Sequence, residues 1–461
     1  EKRDEFQQSL VDKGIKPISF NKKTNQGVST KYIFPGALIR LNGKETAVNF
    51  LKNNPDFSYE VNFNHSVESV EYELVNAFSK LMQEKRTTVG FLQGHGEFDR
   101  YEVLDFASSL SEEFNVVQTS AENLSGEATT PDILIIAGPT QPFSEKDKYH
   151  VDQFLMNGGK ILWLIDPVNV SSDSLSRGYI TYAFPRDLKL GDQLFKYGVR
   201  LNYELLQDVD CAKLMVNIAP QGSDAQWTLH PWYYSPLLTP ADNHPLSRNL
   251  NRVFSEFVSS VDTVSSNKNL DKTIILTTSP YARRVKSPSS VSLENINNPP
   301  ARELFNQSFI PVGVLVEGVF TSVFENRMIE NLGVNTIDFK SQGKPSKMIV
   351  IADAGMVANK VDYTRQPPRV SEEMGYDRVS RQTFGNREFL LNAVYYLGNH
   401  NEIMQLRSRT ILLRLLDKVK LREEKAIWQW INVGVPLVLV LIAGAGYNFL
   451  RRSRYKRLIK S

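Results

Sequence analysis

Four side chains stand where apolar runs break into glycine- or proline-containing turns: His95, Glu97, Asp166 and Asp353. The first two belong to Gly94-His95-Gly96-Glu97, which follows the run TTVGFL at 87–92, with Asp99 close behind. Asp166 ends KILWLI and Asp353 ends KMIVIA. If those runs are parallel strands, the imidazole and the carboxylates share one sheet edge, and loops at the C-terminal ends of parallel strands are where such folds bind ligands. One imidazole with two or three carboxylates can hold a metal ion or polarise a ligand. The competing reading is a glycine-rich turn whose His and Glu orient the loop by hydrogen bonds, with strand-end carboxylates that are solvated or cap helices. Two or three ligands on one loop make a poor metal site without partners elsewhere. The four residues are therefore candidates for ligand binding, with no metal, no cofactor and no catalytic residue assigned.

What is missing excludes other chemistry. No Gly-x-x-x-x-Gly-Lys-Ser/Thr segment occurs, so the chain does not bind ATP in the P-loop manner, and any ATPase must be a separate subunit. The single cysteine, Cys211, rules out an intramolecular disulfide and a Cys-rich zinc site. Lys and Arg total 54 against 51 Asp and Glu, a net charge of +3, so no global field marks a nucleic-acid binder. Hydrophobic residues at 41% and charged residues at 23% describe a folded chain of 461 residues, long enough for about three domains. The chain opens on Glu1 rather than Met, which predicts that something precedes it.

The elements that would position the four residues read as α/β. The runs 87–92, 132–137 and 160–165 alternate with helical patterns at 101–114 and 145–156, and Gly158-Gly159 ends the second helix. Continuous apolar strands alternating with helices predict a parallel sheet covered on both faces. Further runs at 273–277, 312–316 and 347–352 extend it, and a helix at 386–397 caps it. The proline-rich stretch 168–270 and the loop 287–300 read as insertions. Within the first, Trp227, Trp232, Tyr233 and Tyr234 form either a small local core or a sticky surface. Residues 1–86 hold a short helix, one hairpin around Asn42-Gly43 and a helix at 66–82, too little for an independent core.

The C-terminus changes character. Ile427–Leu450 carries no charge over 24 residues, enough for a helix to cross a ~30 Å hydrocarbon core. Trp428 and Trp430 at one end and Tyr447 at the other suit the membrane interface, with Arg451 and Arg452 at the inner boundary. Gly444 and Gly446 offer a small face for helix packing. The basic tail 451–461 predicts a cytoplasmic C-terminus, with the bulk of the chain outside the cytoplasmic membrane. An amphipathic pattern at 401–426 leads into the span.

Several long segments, taken in order, carry a resemblance. VGFLQGHGEFDR (89–100), PDILIIAGPTQPFSEKDKYHVDQFLMNGGKILWLIDPV (131–168), LFKYGVRLNYELLQD (194–208), HPLSRNL (244–250), KMIVIADAGMVAN (347–359) and NREFLLNAVYYL (386–397) resemble the auxiliary-component family of ABC transporters. The ending, from LRSRTILLRLLDKVK through WQWINVGVP to RRSRYKR, is similar to the gliding-motility-associated GldG branch. The resemblance implies a flavodoxin-like, glutamine-amidotransferase-like sheet domain with insertions over 87–400, and a truncated thioredoxin-like domain over 1–86. Behind them come the juxtamembrane helix at 401–426, the transmembrane helix at 427–450 and the basic tail at 451–461. It further implies an inner-membrane, mostly periplasmic accessory subunit of bacteria. Its partners would be a GldF-like permease, through it a GldA-like ATPase, membrane lipid and other envelope proteins. Class I amidotransferases need a Cys in a sharp strand-to-helix turn. Asp166-Pro167-Val168 stands at such a turn instead, and Cys211 lies far away in LQDVDCAKL. The expectation is a non-enzymatic subunit. The alternatives are a hydrolase or glycan-acting enzyme using the His95/Glu97 loop with Asp166 or Asp353, or a solute-binding receptor. Such receptors have two similar lobes, and no duplication at that scale is visible.

Overall fold

A computed structural model describes residues 2–15, 17–24, 27–41, 43–51, 59–82, 86–125, 130–170, 174–175, 180–217, 224, 226–242, 244–248, 250–265, 269–296, 299–334, 337–399 and 425–458. Two units result, Glu1–Arg409 and Thr410–Ser461.

The first unit is built on a ten-stranded sheet. Its strands are β1 (Thr88–Leu92), β2 (Asn115–Thr119), β3 (Ile133–Ala137), β4 (Lys160–Leu164) and β5 (Cys211–Asn217). Then come β6 (Trp227–Pro240), β7 (Val253–Phe254), β8 (Leu270–Thr277), β9 (Pro311–Thr321) and β10 (Gln342–Ile351). The order across the sheet is β5-β6-β8-β9-β10-β4-β3-β1-β2, with β7 paired to β6. From β10 to β2 every neighbouring pair is parallel. From β5 to β10 every pair is antiparallel.

This mixed sheet corrects the expectation of a parallel one. The runs at 273–277 and 312–316 are sheet strands, but they run antiparallel to their neighbours. An apolar run reports burial on both faces and carries no information about direction. The connections do carry it, because a parallel neighbour needs a helical crossover. Helices α1 (Leu104–Ser111) and α2 (Glu145–Met156) supply crossovers from β1 to β2 and from β3 to β4. No α-helix is described between β8 and β10. The proline-rich stretch likewise holds more than insertions, since β5 and β6 lie in it. Pro231, Pro236 and Pro240 are accommodated on β6, and the β5 pairing shifts register between Cys211 and Lys213.

The central strands alternate between two cores. Ile133, Ile135, Leu162, Leu164, Ile349 and Ile351 face one side. There they pack with Phe106 and Leu110 of α1 and with Phe389, Leu390 and Val394 of α4 (Asn386–Leu397), once α3 (Gly191–Lys196) has been counted on the other side. Leu134, Ile136, Ile161, Trp163, Met348 and Val350 face that opposite side, against Val151, Phe154 and Leu155 of α2 and Leu194 of α3. Trp232 and Tyr234 join a smaller third core with Val168, Ala183 and Leu205, whereas Trp227 is exposed.

The N-terminal residues form two hairpins, Ile18–Thr24 with Gly27–Ile33 and Gly36–Leu41 with Lys44–Asn49. The helix Tyr59–Met82 lies against the second, where Val48, Ala77 and Leu81 are buried. In the second unit, α5 (Lys425–Leu458) contains an apolar stretch, Gln429–Arg451, long enough to cross a membrane. Trp430, Tyr447 and Arg451 are exposed on it. A Cβ added at Gly444 or Gly446 would meet no atom within 4 Å. The expected helix at 401–426 lies outside the described residues up to 424, as do residues 459–461 and the side chains of Trp428 and Arg452.

One buried carboxylate joins the α2 layer to the segment after β9. Asp152, fully buried, accepts from Tyr197 Oη at 2.8 Å, Ser322 Oγ at 2.7 Å, the Val323 amide at 3.0 Å and Gln153 Nε2 at 2.9 Å. Asp152→Ala strands the Tyr197, Ser322 and Val323 donors, whereas Gln153 Nε2 keeps the Lys340 carbonyl at 3.1 Å, and leaving such groups unpaired costs about 1–3 kcal/mol each before relaxation. The expected result in urea unfolding of the full chain is a loss of about 3 kcal/mol or more. A loss below about 1 kcal/mol would show that the network does not hold α2 in place.

Candidate functional site

The His95 loop follows β1 and turns on two glycines in left-handed backbone, Gly94 at φ +130° and Gly96 at φ +72°. At Gly96 a Cβ would come within 2.1 Å of Thr140 Oγ1, so the loop needs glycine there both for its dihedral and for close approach. The loop is tied to the β3–α2 connection: the amides of Thr140 and Gln141 both donate to the His95 carbonyl, at 2.9 and 2.8 Å. Thr140 Oγ1 donates to the Gly96 carbonyl at 3.1 Å.

His95 is buried, and its imidazole is flanked on both nitrogens by carboxylates. Nδ1 lies 3.1 Å from Glu97 Oε1, and Nε2 lies 3.3 Å from Asp147 Oδ2. The other Glu97 oxygen accepts the His95 amide at 2.7 Å. The ring stacks on Phe143 at 3.7 Å between centroids and 6° between planes. Asp147 sits in the first turn of α2, where Ser144 caps the helix: the Asp147 amide donates to Ser144 Oγ at 3.1 Å, and Ser144 Oγ donates back to Asp147 Oδ2 at 2.6 Å. A carboxylate is favoured at that helix end. Burial by itself lowers the His95 pKa, but the hydrogen bond and charge of Glu97, followed by those of Asp147, outweigh it and leave the pKa raised. Burial raises the Asp147 pKa, yet Ser144 and His95 together leave it lowered. The group is an imidazole clamp between two loops, with both ring nitrogens and one ring face already engaged.

Asp99 is used in a similar way. Its Oδ1 accepts the amides of Tyr101 at 2.7 Å and Glu102 at 3.0 Å, and Glu102 Oε2 accepts the Asp99 amide at 2.8 Å. This is the reciprocal pattern of a capping box at the approach to α1.

Asp166 and Asp353 do come together. They extend β4 and β10, a parallel pair in which Leu164 lies opposite Ile351. Asp166 Oδ1 accepts the Ala354 amide at 2.7 Å, and Asp353 Oδ1 accepts the Met356 amide at 3.2 Å. Asp353 is fully buried and its Oδ2 has no hydrogen-bond partner. Burial, then the charge of Asp166, then that of Glu256, raises the Asp353 pKa well above the usual carboxylate range. Burial also raises Asp166, against the Ala354 amide and the nearby Arg186. No hydrogen bond or ion pair joins His95 or Glu97 to Asp166 or Asp353, and β3 separates the two sets in the sheet. Among the described residues no group of three or more His, Cys, Asp and Glu is placed to hold a metal ion. Burial, then the charge of Asp208, pushes the Cys211 thiol up to about 12, which leaves it a poor nucleophile.

The sequence reading missed Asp147 and Phe143. The capping pattern Ser144-x-x-Asp147 was visible, but nothing in it pointed across to His95.

The clamp gives a pH signature. The folded pKa of His95 is raised above the ordinary value of 6.5, so its stabilisation is complete below about 6.5 and is lost as pH rises through the folded value. The Asp147 contribution is lost only in acid, as pH falls below 3.8 towards its lowered value. His95→Gln should therefore destabilise the chain by about 2 kcal/mol at pH 6 and by clearly less at pH 9, measured by urea unfolding. An equal loss at both pH values would show that the imidazole is held neutral.

Comparison with known proteins adds the following. The model of a family described as an ABC-type uncharacterized transport system, of auxiliary components, matches residues 86–393. The curated proteins give no match. Among solved structures, the mmIFT52 N-terminal domain is similar over 68% of this chain and 97% of that one, at 13% identity and a TM-score of 0.37. The family match spans β1 to α4, which takes in the whole ten-stranded sheet, the His95 clamp and the Asp166–Asp353 pair, and on that extent the chain belongs to the family of ABC transport-system auxiliary components.

Proposed function

We propose that the chain is a non-enzymatic, membrane-anchored accessory subunit of an ABC transporter complex that serves gliding motility. Its sheet domain lies on the periplasmic side of the bacterial inner membrane and its C-terminus in the cytoplasm. The observation that carries this reading is the order of parts: a body matched to the auxiliary family over 86–393, then one apolar helical stretch, Gln429–Arg451, then a run rich in Arg and Lys. Basic residues beyond a single span favour the cytoplasmic side. The saturated His95 clamp supports the non-enzymatic part, since a general base or metal ligand needs a free nitrogen. The lack of a P-loop sequence assigns ATP hydrolysis to another subunit, of the GldA type, reached through a GldF-like permease. Gliding motility rests on the likeness of the C-terminal segments to the GldG branch.

Two measurements test this. A cysteine at Ser461 in a Cys211→Ser background should stay unlabelled by an impermeant thiol reagent in intact cells and react after lysis; ready labelling in intact cells inverts the topology. The double change Gly444→Leu with Gly446→Leu should leave membrane insertion intact and reduce co-purification of the permease several-fold, because close helix packing in lipid depends on small residues. Wild-type recovery of the permease would reduce α5 to an anchor and move the contact to the extracytoplasmic sheet domain.

A further inference from the structure

Beside the C-terminal end of β4, on the α3 face, lies a cavity of about 780 Å³ that reaches Ile165 and Pro167. Its size falls within the roughly 300–1,000 Å³ of small-molecule sites. The wall is mostly apolar and includes Leu188, Leu194 and Leu201. Phe195 and Tyr203 stand at its edge 48% and 47% exposed, an unusual state for two aromatic side chains beside one hollow.

The charged lining is unequal: Arg186, Lys196, Arg200 and Arg327 against the single carboxylate of Asp192. Three of the four cations are already ion-paired. Lys196 meets Glu325 at 3.1 Å, Arg200 meets Asp262 at 2.6 Å, and Arg327 meets Asp192 at 2.8 Å. Arg186 differs. Its guanidinium donates to neutral oxygens, Asn169 Oδ1 at 2.9 Å and the Pro139 carbonyl at 3.4 Å, and among the described residues no carboxylate lies within ion-pair distance. It feels the charge of buried Asp166 without pairing with it, and a half-buried guanidinium outside any ion pair is a ready fork for a carboxylate or phosphate.

We propose that this cavity binds a single-chain amphipathic anion, its hydrocarbon body against Leu188, Leu194 and Phe195 and its carboxylate or phosphate head on Arg186. A neutral glycan fits less well. It would need several free polar partners along the wall, and most polar groups there are committed to ion pairs. The site is independent of the proposed assembly with a permease, because every residue in it belongs to the sheet domain.

The test uses the full chain in phosphatidylcholine nanodiscs, with laurate and dodecyl phosphate as probes, read by equilibrium dialysis against empty nanodiscs. Saturable binding of either probe is expected; laurate alone identifies a carboxylate head, dodecyl phosphate alone a phosphate head. Arg186→Gln should weaken binding at least tenfold. Gly191→Trp should do the same by filling the cavity: Gly191 lines it, and a Cβ there would meet no atom within 4 Å, so the added bulk enters open space rather than packed core. Thermal unfolding of both variants checks that the fold is kept, and Arg186→Gln stands alone if Gly191→Trp does not fold. Equal binding of dodecanol and laurate, unchanged affinity in the folded variants, or no saturable binding above empty nanodiscs would overturn the proposal.

Discussion

The fold depends on strands that are apolar on both faces. Every residue of β3 is buried, and so are the last four of β4. Burial of each such side chain contributes about 1.5–3 kcal/mol, but only if both faces are covered. The sheet therefore needs α1 and α4 on one side and α2 and α3 on the other, and no charged group stands in the middle of these strands. Functional polarity is forced to the strand ends. That is why His95, Asp166 and Asp353 all occur just past the ends of β1, β4 and β10, and why they sit in turns rather than on the sheet.

Buried acids in this chain mainly replace missing backbone pairing. Asp152 accepts an amide and two hydroxyls from other elements. Asp208, also fully buried, accepts the Ser279 amide at 2.7 Å and its hydroxyl at 2.5 Å. Asp166 receives the first amide beyond Asp353. Each closes a loop whose donors would otherwise be orphaned. A shifted pKa at such a residue follows from burial and is no sign of turnover. Asp353 Oδ2 is an exception, a buried oxygen with no hydrogen-bond partner, and burial with the charge of Asp166 raises its pKa well above the usual carboxylate range, which favours the neutral form.

Helices α2 and α4 were legible to the residue, because Ser144, Gly158-Gly159 and the apolar period mark their limits. In the parallel half, β1, β3, β4 and β10 were legible as apolar runs closed by turns, and α1 and α2 mark two of the crossovers, but the short run of β2 was not read as a strand. In the antiparallel half β8 and β9 were read as strands, but their direction was not, and β5 to β7 were not read as strands. Its strands pair through long connections whose direction leaves no periodic trace, and the prolines of β6 read as loop. At the site, the pairing of His95 with Glu97 is local and could be anticipated from the spacing. The contacts with Asp147 and Phe143 could not, because they join residues about fifty positions apart through the packing of two loops. The cavity at Arg186 was invisible for a similar reason: its wall comes from residues 165 to 327, and no segment of it has a pattern of its own.

The two polar places on this edge of the sheet differ in what they leave unsatisfied. At His95 both ring nitrogens face carboxylates and Phe143 covers the ring, so a ligand would first have to break contacts that already stabilise the loop. At Arg186 the guanidinium hydrogen-bonds only neutral oxygens and forms no ion pair among the described residues, and Phe195 and Tyr203 at the edge of the hollow beside it remain half in water. Binding free energy is available only where a ligand improves on the contacts present in its absence. The difference separates structure from recognition here: the glycine-rich motif that stands out in the sequence holds the edge rigid, and the inconspicuous arginine beside α3 is the group with capacity left for a partner.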